Sequence, residues 1–282
     1  MGMNSLLAFS PHLDDAVISA GARLGALATA GVRVTVVTLF AGVPSAPFSA
    51  TAREMHQLWG LSDDHAMAGR RDEDRRAMAC LGLRHTHEDF LDAIYRQRRD
   101  GSWLVGTGQP PWFDDGTREE ELAADLTATI RAEIEASGPP LVLTCAAIGN
   151  HVDHVLTRDA VVRAVSGTDI SLELWEDLPY GLSARRIPRL PDPVSIGSRI
   201  IKAAPQAAWA KKYQAIDCYA SQHAMLWPGR DYRRDLLRHE TALTARSQES
   251  RAEAFWPAGQ AAASQAGNAR SRLQSFDGRT AP

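Results

Sequence analysis

Six residues in two short motifs have the types and spacing from which hydrolytic metal chemistry is built. They lie in Ser10-Pro11-His12-Leu13-Asp14-Asp15 and in His151-Val152-Asp153-His154. Zinc prefers imidazole nitrogen and carboxylate oxygen, and a catalytic site typically offers about three protein ligands with water in the remaining position. His12, Asp15 and His154 meet that requirement. Asp14 is then free as a general base for a water whose pKa zinc lowers towards about 7. Hydrolysis of an amide also needs a donor for the developing oxyanion and a proton for the leaving amine, and a protonated His151 can serve either need. Asp153 can orient one imidazole as an outer carboxylate or cap the next helix. Taken alone, each motif also has a plain structural reading, with Asp14 or Asp15 as a helix cap and His12 as a loop residue.

What favours chemistry is the elements that must hold these motifs. Residues 6–9 are an apolar run that stops at Ser10-Pro11, which reads as a buried strand and then a loop. A helix capped by Asp14 or Asp15 follows and ends at Gly31, and residues 34–40, rich in β-branched side chains, form a second buried strand. Helices are expected over residues 51–59 and 70–81, a third strand at Phe90 and Leu91, and a long loop over residues 95–116. A helix over residues 118–136 leads to a buried strand at residues 141–146, which delivers the second motif, followed by a helix over residues 155–165 and a strand at residues 171–175.

This alternation predicts an α/β protein with a doubly wound, mostly parallel sheet, helices on both faces and a C-terminal appendage. In the common strand order the strands before the two motifs are neighbours, so both motifs face one crevice at the carboxyl edge, where such sheets bind ligands. Helices are also expected over residues 208–224 and 232–243. Residues 1–257 read as one domain and residues 258–282, rich in Ala, Gly, Gln and Ser, as a disordered tail.

Composition excludes several classes. Hydrophobic residues at 44% and charged residues at 23% are ordinary for a folded globular protein. The net charge of -3 comes from 31 basic and 34 acidic residues with no long block of either sign, so the footprint of a nucleic-acid partner is missing. The clusters Arg70-Arg71 and Arg96 to Arg99 sit beside acidic residues and read as solvated helix surface. Three scattered cysteines imply no disulfide framework. No membrane span is expected, and the N-terminus lacks the pattern of a signal peptide, so a cytoplasmic location is the expectation. No Gly-x-Gly-x-x-Gly turn, P-loop or nucleophile elbow is visible.

Pro-His-x-Asp-Asp opening a helix after the first strand, with His-x-Asp-His after a later one, resembles the PIG-L/LmbE deacetylases. The resemblance covers about residues 5–180 and extends to Arg70-x-x-Glu73 and Glu176-Asp-Leu-Pro-Tyr180, and further on to the Tyr-Ala-Ser-Gln that closes at Gln222. It implies a Rossmann-like fold and zinc-dependent N-acetylglucosaminyl deacetylation. By motif position it makes His12, Asp15 and His154 the ligands, Asp14 the base and His151 the electrostatic stabiliser or acid. It also implies sugar contact by Arg70, with Tyr180 as a further substrate-binding candidate.

The family's frequent Glu after the two aspartates is Ala16 here, and Leu13 replaces Pro, with no ligand lost. The variant resembles members of actinomycete natural-product pathways, which implies a glycosylated small molecule as substrate. Iron(II) fits the same donors. The competing readings are an amidase for a larger acyl group or a cysteine conjugate, a two-metal phosphoesterase and a sugar-binding protein on a degenerate enzyme fold. The phosphoesterase needs more ligands than these motifs supply. His85-Thr-His87 reads as strand or loop surface, and Trp103, Trp112 and Trp227 as packing residues that could stack on a sugar.

Overall fold

Strand β1 (Ser5–Ser10) sends Leu6 and Ala8 to one face of a sheet and Leu7 and Phe9 to the other, and all four are fully buried. A strand apolar on both faces needs a helix layer on each, and the chain supplies two. The structure, a computed structural model, describes residues 3–106, 119–183, 186–245 and 249–260. In chain order β1 is followed by α1 (Asp15–Thr29), β2 (Arg33–Thr38), α2 (Ala50–Trp59), α3 (Ala66–Leu81), β3 (Arg84–His87) and α4 (Glu120–Ser137). Then come β4 (Leu141–Cys145), α5 (Val152–Val165), β5 (Ser171–Trp175), β6 (Val194–Ile196) and β7 (Ile200–Ala203). Helices α6 (Gln206–Asp217), α7 (Ala220–Leu226) and α8 (Tyr232–Ala242) precede the last strand, β8 (Ala252–Gln260).

The sheet order is β3-β2-β1-β4-β5-β8-β6, with β7 also paired to β8, and the first five strands are parallel. One face packs on α1, α3 and α6, the other on α4 and α5. The expected α/β architecture is therefore present. β1 and β4 are neighbours, with Phe9 opposite Thr144, so the two motifs leave adjacent strands at one edge. A third apolar cluster, including Leu13, Phe48, Trp59, Met67 and Tyr95, lies around the loops of that edge.

Several expectations are corrected. The third strand is Arg84–His87, not Phe90 and Leu91. As a polar edge strand it pairs, among the described residues, only with β2, so it needs no apolar run, whereas Phe90 and Leu91 pack against separate core clusters. The single helix expected over residues 208–224 is two, α6 and α7, parted at Cys218 and Tyr219.

The largest difference is β8, which runs antiparallel to β5 and continues to Gln260, into the stretch expected to be disordered. It is held on both sides, by β5 and by β6 and β7, and pairing of that kind leaves little trace in composition. Residues 261–282 lie outside the described residues, as does most of the second half of the loop expected at 95–116, including Trp112. A short 3-10 turn, Ala93–Tyr95, ends where that loop begins, and the first half of the loop holds a bridge between Gln97 and Trp103. No helix among the described residues is long and apolar enough to cross a membrane.

β8 also closes a buried ionic cluster. Glu253 accepts from the backbone of Ala22 and Arg23 in α1, each at 2.9 Å, and pairs with Lys212 Nζ at 2.9 Å. Lys212 reaches Glu240 of α8 at 3.2 Å, and both its ion pairs are inaccessible to water. Removing one partner of a buried cluster leaves uncompensated charge, so Lys212→Met is expected to lower unfolding free energy by about 3–5 kcal/mol. Urea titration measures this; a loss below about 1 kcal/mol would show that the two glutamates need no counter-charge.

Candidate metal centre

The first motif is shaped by its serine. Ser10 Oγ donates to the His12 carbonyl and accepts from the backbone N–H of Ala16, so Ser10 takes over the capping of α1. Asp14 stands at the N-cap position without making a capping hydrogen bond, and the Asp15 carboxylate instead accepts from the His12 N–H at 2.9 Å. The capping alternative for these two aspartates is thereby excluded, and both carboxylates are free to face the crevice.

The second motif opens α5 at Val152, three residues before the expected start, with His151 as its N-cap. His151 Nδ1 accepts from the backbone N–H of Asp153 at 3.2 Å, which places the proton of the neutral ring on Nε2. Asp153 lies inside the first turn and its carboxylate caps nothing there. It reaches across to His12, where Oδ2 stands 3.0 Å from Nε2 and also accepts from the Ala93 N–H.

His12, Asp15 and His154 converge as expected. Asp15 Oδ2 is 3.3 Å from His12 Nδ1 and 3.3 Å from His154 Nε2, and all three residues are buried. The remaining nitrogen of each ring is held by a carboxylate: His12 Nε2 by Asp153, with Asp92 at 3.5 Å, and His154 Nδ1 by Asp177 at 2.8 Å. A carboxylate behind each imidazole fixes its tautomer and turns the other nitrogen forward.

Two nitrogens and one oxygen gathered in this way suit a divalent metal of the zinc type. Two further clusters fit less well. In the first, His12, His151 and Asp153, the carboxylate is already paired with Arg96 at 2.6 Å; in the second, Cys145, His154 and Asp177, burial pushes the Cys145 thiol up, away from the thiolate a metal takes. No metal-capable cluster among the described residues includes His85 or His87.

Electrostatics separate the two adjacent aspartates. Burial works against any charge here, yet His154 and His12 hold Asp15 well below the usual carboxylate range. Burial and the charge of Asp15 push Asp14 up to about 7, with Arg70 and His12 pulling the other way. Asp15 is thus a stable anion, and Asp14 is poised to exchange a proton. Against the cost of burial, Asp92, Asp15 and Asp153 raise His12, while Asp15 and Asp177 raise His154 to about 9; a bound metal takes the place of those protons. Burial and the nearby His12 lower His151 well below its ordinary value, so it stands neutral and offers its Nε2–H.

Arg70 is buried beside Asp14. Its Nη2 is 3.9 Å from Asp14 Oδ2, its Nη1 is 4.0 Å from Asp92, its Cζ lies 4.7 Å from the centre of the Trp59 ring, and its Nε has no partner among the described residues. Tyr180 is half-buried with its ring 5.7 Å from that of His154. Gly149 makes room for it: a Cβ there would lie 2.8 Å from the tyrosine ring, and the residue has φ of 96°, which favours glycine. Trp227 is core, and Trp103 lines an open cavity of about 490 Å³ with Tyr95, Phe48 and Arg96.

Sequence reasoning missed three groups. Asp177 accepts from the N–H groups of Ala146 and Ile148 as well as facing His154, so one carboxylate shapes the loop after β4 and orients the His154 ring. That loop holds Ala147 in the left-handed region at φ 61°, a strained conformation of the kind stored at functional sites. Asp92 faces both His12 and Arg70. Arg96, read as solvated surface with its neighbours, is buried against Asp153, whereas Arg99 is exposed as expected. The Glu176-Asp177 segment was visible in the sequence, but nothing in its composition distinguishes a carboxylate that meets a histidine from one that caps a loop. Asp177→Asn is expected to weaken metal binding about 10–100-fold, measured by chelator competition; unchanged affinity would remove Asp177 from the centre.

The model of the PIG-L family, described as GlcNAc-PI de-N-acetylase, matches residues 7–165 and so takes in both motifs. A 2'-N-acetylparomamine deacetylase of Streptomyces fradiae is 32% identical over 185 residues, which are 62% of this chain and 57% of that protein. The chain thus spans little more than half the length of that relative. The zinc-inhibited form of teicoplanin deacetylase Orf2 superposes with a TM-score of 0.84 at 36% identity, over 92% of this chain and 100% of the other. The A40926 pseudoaglycone deacetylase Dbv21 does so with a TM-score of 0.80 at 37% identity, over 93% and 100%. With the two motifs, the sheet and the matched segment all in agreement, the chain belongs to the PIG-L family.

Proposed function

We propose that the chain is a metal-dependent hydrolase that removes an N-acyl group, in the first place N-acetyl, from a glucosamine-containing small molecule of the natural-product glycoside type. The observation that carries this reading is the division of labour at the first motif: Asp15 is fixed between two imidazoles, while Asp14, next to it, is raised to about 7 and uncommitted. His12, Asp15 and His154 would hold the metal, zinc on the preference of the donor set. A divalent ion there supplies a Lewis acid and a water made acidic enough to attack at neutral pH.

The protein's own groups do the rest. Asp14 accepts the proton of the attacking water and sits where it can return a proton to the departing amine. His151, neutral and donating from Nε2, faces the negative charge that grows on the former carbonyl oxygen. Arg70, with its Nε unpartnered among the described residues and Trp59 beneath it, offers donors to sugar hydroxyls, and Tyr180 closes the side of the site next to His154. Arg70, Asp14 and the three histidines are almost fully buried, so a small polar substrate exchanges its water for fixed donors.

The named relatives are deacetylases, one of 2'-N-acetylparomamine and the others of teicoplanin and of the A40926 pseudoaglycone, which supports the substrate class. The test is a panel of N-acylated glucosamine derivatives, free and glycosidically linked, assayed for chelator-sensitive release of acid and amine. Metal is added at one equivalent, because the Orf2 structure is of a zinc-inhibited form. Release of acetate that stops with chelator and returns with metal is expected. Cleavage confined to long acyl chains would favour the amidase reading, and no cleavage of any amide would favour sugar binding without catalysis.

A further inference from the structure

Arg96 occupies a position that its sequence context does not suggest. It begins the run Arg96-Gln97-Arg98-Arg99, yet its side chain is 9% exposed, against 93% for Arg99. Its guanidinium is committed on every side. Nε and Nη2 donate to the two oxygens of Glu119, at 2.9 and 2.8 Å, as a fork. Nη1 donates to the Leu91 carbonyl at 2.8 Å and forms an ion pair with Asp153 Oδ1 at 2.6 Å, while the cation lies 5.1 Å over the Phe40 ring.

Asp153 has no exposed surface, and its other oxygen is the one that meets His12 Nε2. Glu119, Arg96, Asp153 and His12 therefore form one chain of contacts that begins at the residue before α4 and ends at a ring facing Asp15. Without Arg96, Asp153 is a buried carboxylate with His12 as its remaining charge partner. Such a group lowers its energy by rotating away, and it then stops holding the ring. Asp92, 3.5 Å from the same nitrogen, then competes for it and turns the ring differently.

We propose that Arg96, braced by Glu119, is a positioning residue of the metal centre: it fixes Asp153 and through it the His12 ring, so that Nδ1 faces the metal. This rests on the reading of His12 as a ligand. Planarity matters as well as charge, because the fork on Glu119 sets where the Asp153 side of the guanidinium lies, and a lysine ammonium is a point charge without that fork.

The test uses the full metal-free chain, titrated with cobalt(II) by visible absorption and with zinc against a chelator, with the melting of each metal-free variant recorded alongside. Arg96→Met is expected to bind about 10–100-fold more weakly than the parent, with Arg96→Lys and Glu119→Gln intermediate. A purely structural role would lower the melting temperature of these variants and leave affinity unchanged. A folded Arg96→Met that binds within about twofold of the parent overturns the inference; should it not fold, Glu119→Gln and Arg96→Lys both within about twofold do the same. A parent chain that binds neither metal overturns the ligand reading itself, a result distinct from variants that match a tight parent.

Discussion

Asp14→Asn is expected to leave the metal bound and to lower kcat by about 10²–10⁴-fold, the range general-base catalysis contributes. The substitution keeps the shape and removes only the ability to take a proton. In free-energy terms this is about 3–5 kcal/mol of transition-state stabilisation. Metal content is expected to hold because the proposed ligand set is completed by Asp15, whose oxygen lies between His12 and His154. Stability is expected to hold too, since the charge removed sits beside that of Asp15 and is opposed by burial. Kinetics with metal analysis on the same preparation checks this. Near-parent turnover at full occupancy would mean that the proton goes elsewhere and that Asp14 is not the base.

His154→Ala is expected to do the reverse, emptying the centre and abolishing turnover as a consequence. It removes one of three donors and leaves both Asp15 and Asp177 facing a void in a buried site. Affinity should fall by at least about 10²-fold, more than for loss of an outer partner. The metal-free chain should lose about 3 kcal/mol or more of stability, because Asp177 keeps its two backbone donors but loses its histidine. Dialysis against limiting chelator followed by elemental analysis measures the first effect and denaturant titration the second. Stoichiometric metal in the variant would remove His154 from the ligand set.

These two effects rest on residues that could be read from the chain, for a reason that is physical. β1 and β4 are buried on both faces and so spell out continuous apolar runs, and the residues that follow such runs in a parallel sheet must emerge at its carboxyl edge. Adjacent placement of the strands then brings His12 and His154 together although they lie far apart in sequence.

What lay hidden depends on contacts rather than on periodicity. Arg96 and Arg99 have the same local composition and opposite environments, because what separates them is whether Glu119 and Asp153 arrive from elsewhere in the chain. Asp177 looks like any loop carboxylate until the loop after β4 and the His154 ring are in place. β3 and β8 escaped a reading based on apolar runs in different ways. The former is a polar edge strand, and the latter carries Pro257 and draws its order from strands on both sides. Asp153 shows the limit most clearly: cap and outer carboxylate were equal readings from sequence, and only the start of α5 at Val152 and the reach to His12 decide between them.

The most direct test of the metal centre is anomalous diffraction at the zinc edge, from crystals of the chain loaded with one equivalent of metal. One peak is expected, within about 2.0–2.2 Å of His12 Nδ1, Asp15 Oδ2 and His154 Nε2, with Asp14 outside the coordination shell. A peak bound by His12, His151 and Asp153 instead, or one that takes Asp14 as a ligand, would contradict both the ligand set and the separation of ligand from base.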